Sequence, residues 1–171
     1  REGDTEGAKK QLAELKAKYS NTTAYRRARK IERELEVIGK AAPTSFEVEK
    51  WYTTESKIDF ASDKPTLLVF WEIWCPHCKR EVPKMQATWD KYNGKIQMVG
   101  LTKITRSATE EKVTEFIAEK NVTYPTAKEN GDLSKHFNVS GIPAAAVVKG
   151  GKVVWRGHPG RLNDSMIDGW L

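Results

Sequence analysis

Helical and strand-like spacings of apolar residues divide the chain into two unequal parts. In the first, Ala8, Leu12, Leu15 and Tyr19 recur at steps of four, three and four. Tyr25, Ala28, Ile31, Leu35 and Ile38 then recur at steps of three, three, four and three. Such steps hold side chains on one face of an α-helix. Ser20, Asn21 and Thr22 stand between the stripes, where one helix would stop and the next be capped. The pattern predicts an antiparallel helical hairpin with one narrow apolar stripe per helix. Two short helices bury little alone, so the stripes should face the main domain or another subunit. Gly39 and Pro43 end this unit, giving expected domains of 1–42 and 43–171.

After Ser45 the pattern changes. "FEVEKW" (Phe46 to Trp51) alternates as a strand does, and "TLLVFW" (Thr66 to Trp71) is a continuous apolar run suited to a central strand covered on both faces. Residues 76–93 read as a helix with a kink at Pro83. "KIQMVGLT" reads as a second buried strand. In "SATEEKVTEFIAEKN", Ser107 with Glu110 three residues on is a capping-box signature, and Val113, Phe116 and Ile117 form the apolar face of the helix it opens. A short extended "VTYP" follows, then a short helix from Asp132 to Phe137. A hairpin pairs "AAAVV" with "KVVWR" across Lys149–Gly150–Gly151, and a last helix starts near Leu162. Strands alternating with helices, then a terminal hairpin, imply an α/β fold: a mixed central sheet flanked by helices.

Composition sets bounds on this picture. At 171 residues and 39% hydrophobic, the chain can build one well-buried core plus a small appendage. Charged residues make up 30%, and no apolar run approaches the ~18 residues that span a bilayer, so no integral membrane segment is expected. The chain opens on Arg1 with no signal-like stretch and reads as a processed or trimmed product. The net charge is +6, with eleven Lys/Arg against seven Asp/Glu over residues 1–45 and eighteen against sixteen over the rest. An anionic lipid, a nucleic acid or an acidic partner would suit the basic run "YRRARK" (Tyr25 to Lys30). Glu32, Glu34 and Glu36 follow at once, however, so the run reads as a solvated helix face and no nucleic acid partner is expected.

The only two cysteines, Cys75 and Cys78, lie in "WEIWCPHCKREVP". A zinc site needs about four ligands, and His77, His136 and His158 are scattered, so no metal is expected. A structural disulfide across two residues closes too small a loop to stabilise much. Redox chemistry is the remaining reading. A strand ends at Trp71 and a helix starts after Cys75, which places Cys75 where unpaired N–H groups and the helix dipole favour a thiolate. Pro76 suits the first helical turn, having no N–H to leave unsatisfied. Cys78 sits one turn on, placed to attack a mixed disulfide formed at Cys75.

"FWEIWCPHCK" resembles the active-site strand–turn–helix of the thioredoxin superfamily, and "GIP" (Gly141 to Pro143) resembles its cis-proline loop. The segment from Met98 to Ile142 resembles the TlpA/ResA-like, redoxin-type branch with its extra helix–strand insert. The resemblance covers roughly residues 43–171. It implies a thioredoxin-like fold and thiol–disulfide exchange with partner proteins. Cys75 would attack, Cys78 would be the buried resolving thiol, and Trp74 would flank the substrate. Ile142 and Pro143 would form a cis bond whose exposed backbone pairs with an extended substrate. An extracytoplasmic, periplasmic setting also follows from the resemblance. No cofactor is expected. With no further cysteine to relay electrons, an external redox partner is.

Two departures bear on mechanism. The buried aspartate of thioredoxin is replaced by Val69, which leaves Glu81, three residues after Cys78 in a "CKREVP" context like that of ResA, as the candidate proton acceptor, with Glu72 as the lesser one. His77 makes the intervening dipeptide resemble that of DsbA-type oxidants, whose potential lies ~150 mV above thioredoxin's. Yet the stretch from Cys78 to Pro143 is too short for the helical insert of those oxidants, and the balance falls on reduction, with a thiol oxidase or isomerase as the alternative. Peroxidases need Thr three residues before the reactive cysteine, and Glu72 stands there. A different class of function, a binding or assembly protein working through the N-terminal helices, would use the α/β domain as a scaffold; self-association through those helices fits either reading.

Overall fold

The computed structural model describes residues 2–19 and 22–171. Ser20 and Asn21, and the side chains of Leu15 and Tyr19, lie outside the described residues. Six strands form one sheet in the order β1-β4-β3-β2-β5-β6: β1 (Lys50–Trp51), β2 (Thr66–Trp71), β3 (Gln97–Thr102), β4 (Thr126–Lys128), β5 (Ala144–Lys149) and β6 (Lys152–Gly157). Strands β2, β3 and β4 run parallel, while β5, β6 and β1 pair antiparallel with their neighbours. This is a mixed sheet of thioredoxin-like fold.

Central β2 explains its own sequence. All six of its residues are buried, because alternate side chains serve two cores. Leu67, Val69 and Trp71 pack with Val82, Met85, Val113, Phe116 and Ile167, which come from three helices: α3 (Pro76–Tyr92), α4 (Glu110–Glu119) and α6 (Asp164–Trp170). Leu68 and Phe70 face the opposite core, with Phe60, Leu133 and Phe137. Leu133 belongs to the short helix α5 (Asp132–His136). The β5–β6 hairpin turns on Gly150 and Gly151, both at positive φ, where a side chain would be strained.

Several expected elements shift. "FEVEKW" forms only the two-residue β1, because Phe46 and Val48 dock on the core beside Phe60 instead of continuing the ladder. The cap of α4 is Thr109, whose Oγ1 accepts the Lys112 N–H at 3.1 Å, and not Ser107. The segment "VTY" does not pair as a strand; β4 begins after Pro125. The last helix starts at Asp164, capped by Asn163.

Two N-terminal helices, α1 (Glu2–Tyr19) and α2 (Thr23–Val37), pack on one another, and α2 also contacts β6. The face that α2 buries differs from the predicted stripe: Ala28, Glu34 and Val37 are buried, while Ile31 is 44% exposed. Charge pairing is the cause. Glu34 accepts from Arg161 Nη2 at 3.1 Å and lies 3.8 Å from Nη1 of the buried Arg156, so the helix rotates an acidic residue inward. The linker then runs along β6, with the Gly39 N–H donating to Val153 O at 2.7 Å and that of Ala42 to Gly151 O at 2.8 Å.

Candidate active site

The turn from β2 into α3 places both thiols at one end of the sheet. Cys75 is the N-cap of α3, and its Sγ accepts the Cys78 N–H at 3.3 Å, while Pro76 fills the first helical position. The two cysteines are free thiols; Cys75 is 4% exposed and Cys78 fully buried. Burial, and next the hydrogen bond with Cys75, push the Cys78 thiol far above its ordinary pKa, so it is held protonated. Across the site the Ile142–Pro143 peptide bond is cis, and the Ile142 carbonyl accepts from Cys75 Sγ at 3.7 Å. Cys75, Cys78, Pro76 and Ile142–Pro143 therefore converge.

Trp74 is fixed beside them. Its indole N–H donates to Glu72 Oε1 at 2.9 Å and lies 3.2 Å from Thr105 Oγ1, and the Thr105 hydroxyl donates to the same carboxylate. The Arg106 guanidinium stacks over the ring at 4.0 Å from its centroid. A cavity of about 570 Å³ opens here, lined among others by Trp74, Cys75, His77, Lys103, Arg106 and Ile142.

Glu81 stands half-buried on α3, one turn after Cys78. Its carboxylate pairs with Lys84 at 3.5 Å and lies beside Gly160 and His158. The carboxylate whose charge is felt at Cys78 is the buried Glu72. His77 is exposed, its Nδ1 accepting from Arg80. His158 accepts the Gly160 N–H at 2.9 Å, and burial lowers its pKa. Sequence reasoning did not find Thr105, Arg106 or Lys103, which lie in an irregular loop after β3 without a motif of their own. It also missed Glu129, a buried carboxylate in the cavity wall that accepts from the backbone N–H groups of Gly131 and Ser134, each at 3.1 Å.

Residues 38–156 match the model of the AhpC/TSA family. The chain is 29% identical over 82 residues to sporulation thiol-disulfide oxidoreductase A of Bacillus subtilis (strain 168), covering 47% of this chain and 50% of that protein. It is 28% identical over 109 residues to thiol-disulfide oxidoreductase ResA of Oceanobacillus iheyensis, covering 63% of this chain and 56% of that protein. The chain thus spans about half the length of these relatives. In fold it is similar to a thioredoxin-like protein solved in solution in its oxidized form, with a TM-score of 0.62, 21% identity, and coverage of 78% of this chain and 94% of that one.

Proposed function

Because the chain belongs to the AhpC/TSA family, we propose that it is a thiol–disulfide oxidoreductase exchanging disulfides with partner proteins through Cys75 and Cys78. The observation that carries this reading is the capped Cys75 sulfur, set between a helix N-terminus and the Ile142 carbonyl with Cys78 buried one turn on.

In the reductive direction, Cys75 as thiolate attacks one sulfur of a substrate disulfide. The other substrate sulfur leaves and takes up a proton, and a mixed disulfide remains. Cys78 then gives up its proton, with the buried Glu72 as the acceptor in this reading and Glu81 as the other candidate, and attacks the Cys75 sulfur. The second substrate thiol is released and a Cys75–Cys78 disulfide forms, so two electrons have passed to the substrate. An external dithiol partner returns them. Trp74 supplies the apolar flank, and the Ile142 backbone pairs with the extended substrate chain. His77 in the exposed turn is the residue that would shift the pair toward oxidation. Residues 1–42 form an accessory unit on the catalytic domain of 43–171, and an extracytoplasmic location belongs to the same proposal.

Insulin reduction tests the assignment. Cys75→Ala should abolish turnover, whereas Cys78→Ala should accumulate a mixed disulfide with substrate; normal turnover in both would overturn it. Equilibration of the pair against glutathione buffers sets the direction: a potential near ~−270 mV supports a reductase and one near ~−120 mV an oxidase.

A further inference from the structure

The charges around the thiols are segregated. Both carboxylates in the cavity wall are buried and used internally, Glu72 by Trp74 and Thr105, Glu129 by Gly131 and Ser134. The charges the wall presents outward, Lys103 and Arg106, are positive, and His77 beside them carries Arg80 at its ring. Near Gly141 in the cavity wall, α2 adds a further basic residue. The clasp that holds it runs from Glu34 to Arg161 and Arg156, and Arg156 donates to Phe137 O at 2.8 Å and Asn138 O at 3.0 Å, while Asn138 Nδ2 donates to Arg33 O at 3.0 Å. This fixes α2 against the segment leading into Ile142–Pro143. Lys30 consequently reaches that loop, its Nζ 3.2 Å from where a Cβ on Gly141 would stand. Because Glu34 is turned inward, it does not offset the exposed Lys30, which has no ion pair among the described residues.

Building on the exchange reading above, we propose that the substrate is an acidic protein segment, bound extended past Cys75 with carboxylates toward Lys30, Lys103 and Arg106. Surface charges of this kind act mainly on the rate of encounter and on the choice of partner.

Two peptides test this. Each carries one cysteine as a mixed disulfide with thionitrobenzoate and they differ only in flanking residues, three Glu in one and three Lys in the other. Their second-order rates with the reduced protein are measured at 20 mM and 500 mM NaCl, with the uncharged hydroxyethyl disulfide as a third substrate. The Glu peptide should react about tenfold faster at low salt, and the advantage should collapse at high salt, where the screening length is a few Å. Lys30→Glu should shrink the Glu-to-Lys rate ratio severalfold. Equal rates at low salt, or a faster Lys peptide, overturn the proposal while leaving the exchange reading intact, since the neutral disulfide is still reduced. A protein that reduces none of the three overturns the exchange reading and the proposal with it. Retention of the full ratio in Lys30→Glu removes α2 from the site and overturns the part assigned to Lys30.

Discussion

The indole N–H of Trp74 is anchored on the carboxylate of Glu72 at 2.9 Å, two residues back along the same turn. One side chain thus fixes the apolar flank of the site and carries the charge felt at Cys78. Glu72→Gln keeps an acceptor for Trp74 but removes the charge. It is expected to slow release of the mixed disulfide roughly tenfold or more while leaving the Trp74 fluorescence nearly unchanged. Glu72→Ala should change both. Faster release in Glu72→Gln, followed by rapid mixing, would show that the charge only opposes ionisation of Cys78 and accepts no proton.

Cys78 should be chemically silent in the folded protein. With its sulfur buried and its pKa pushed upward, iodoacetamide at pH 7–8 should label Cys75 and reach Cys78 only after unfolding. Mass spectrometry of the labelled peptides decides, and comparable labelling of both cysteines would contradict the buried geometry.

The same burial predicts an alkaline response. The pKa of Cys78 is raised in the fold, so the folded state holds its proton where the unfolded chain has begun to lose it. Its contribution to stability is complete below the ordinary thiol value of 9.0 and is lost as pH rises beyond. The disulfide form has no such proton. Between pH 8 and 10.5, the melting temperature of the reduced protein should therefore fall more steeply than that of the oxidised protein, and parallel slopes in calorimetry would rule this out. Tyr124, whose pKa burial also raises, declines equally in both forms and drops out of the difference.

Glu34 is expected to matter far more than its place on a surface helix suggests. Glu34→Ala leaves the Arg156 guanidinium buried without its carboxylate and should cost roughly 3 kcal/mol in urea denaturation. Arg161→Ala, whose side chain is 58% exposed, should cost less than about 1 kcal/mol. Similar small losses in both variants would mean that the clasp does not hold α2.

Gly100 marks a tight place in the sheet. A Cβ there would stand 3.1 Å from Tyr124 Cε1 and 3.3 Å from Thr126 Oγ1, both in fully buried residues. Gly100→Ala should destabilise by about 1–3 kcal/mol through overpacking, and an unchanged urea midpoint would count against the packing described.

What could be read in advance depended on how local its cause was. The continuous run of β2, the Cys-Pro start of α3 and the Gly150–Gly151 turn are dictated by neighbouring residues, and each stands where the pattern put it. Glu34 is different, because its partner Arg161 is 127 residues away and no helical period announces an inward-facing acid. The surroundings of Glu72 were likewise hidden. Spacing along α3 puts Glu81 one turn beyond Cys78, whereas only the folded turn sets Glu72 among Trp74 and Thr105. Ser107 lost the cap of α4 to Thr109 by two residues, a shift that capping rules alone do not resolve.

Strand β6 closes one end of the sheet, and such an end invites another polypeptide to add itself as a further strand. Residues 39–42 already occupy that position: Val153 exchanges hydrogen bonds with Gly39 and Lys40, and Ala41 bridges Lys152. The linker is therefore a guard on the sheet as well as a tether for the helices. A truncation that starts after Ala42 would uncover the edge and make the shortened protein prone to sticking to itself. One that starts at Gly39 removes the helices and leaves the guard in place.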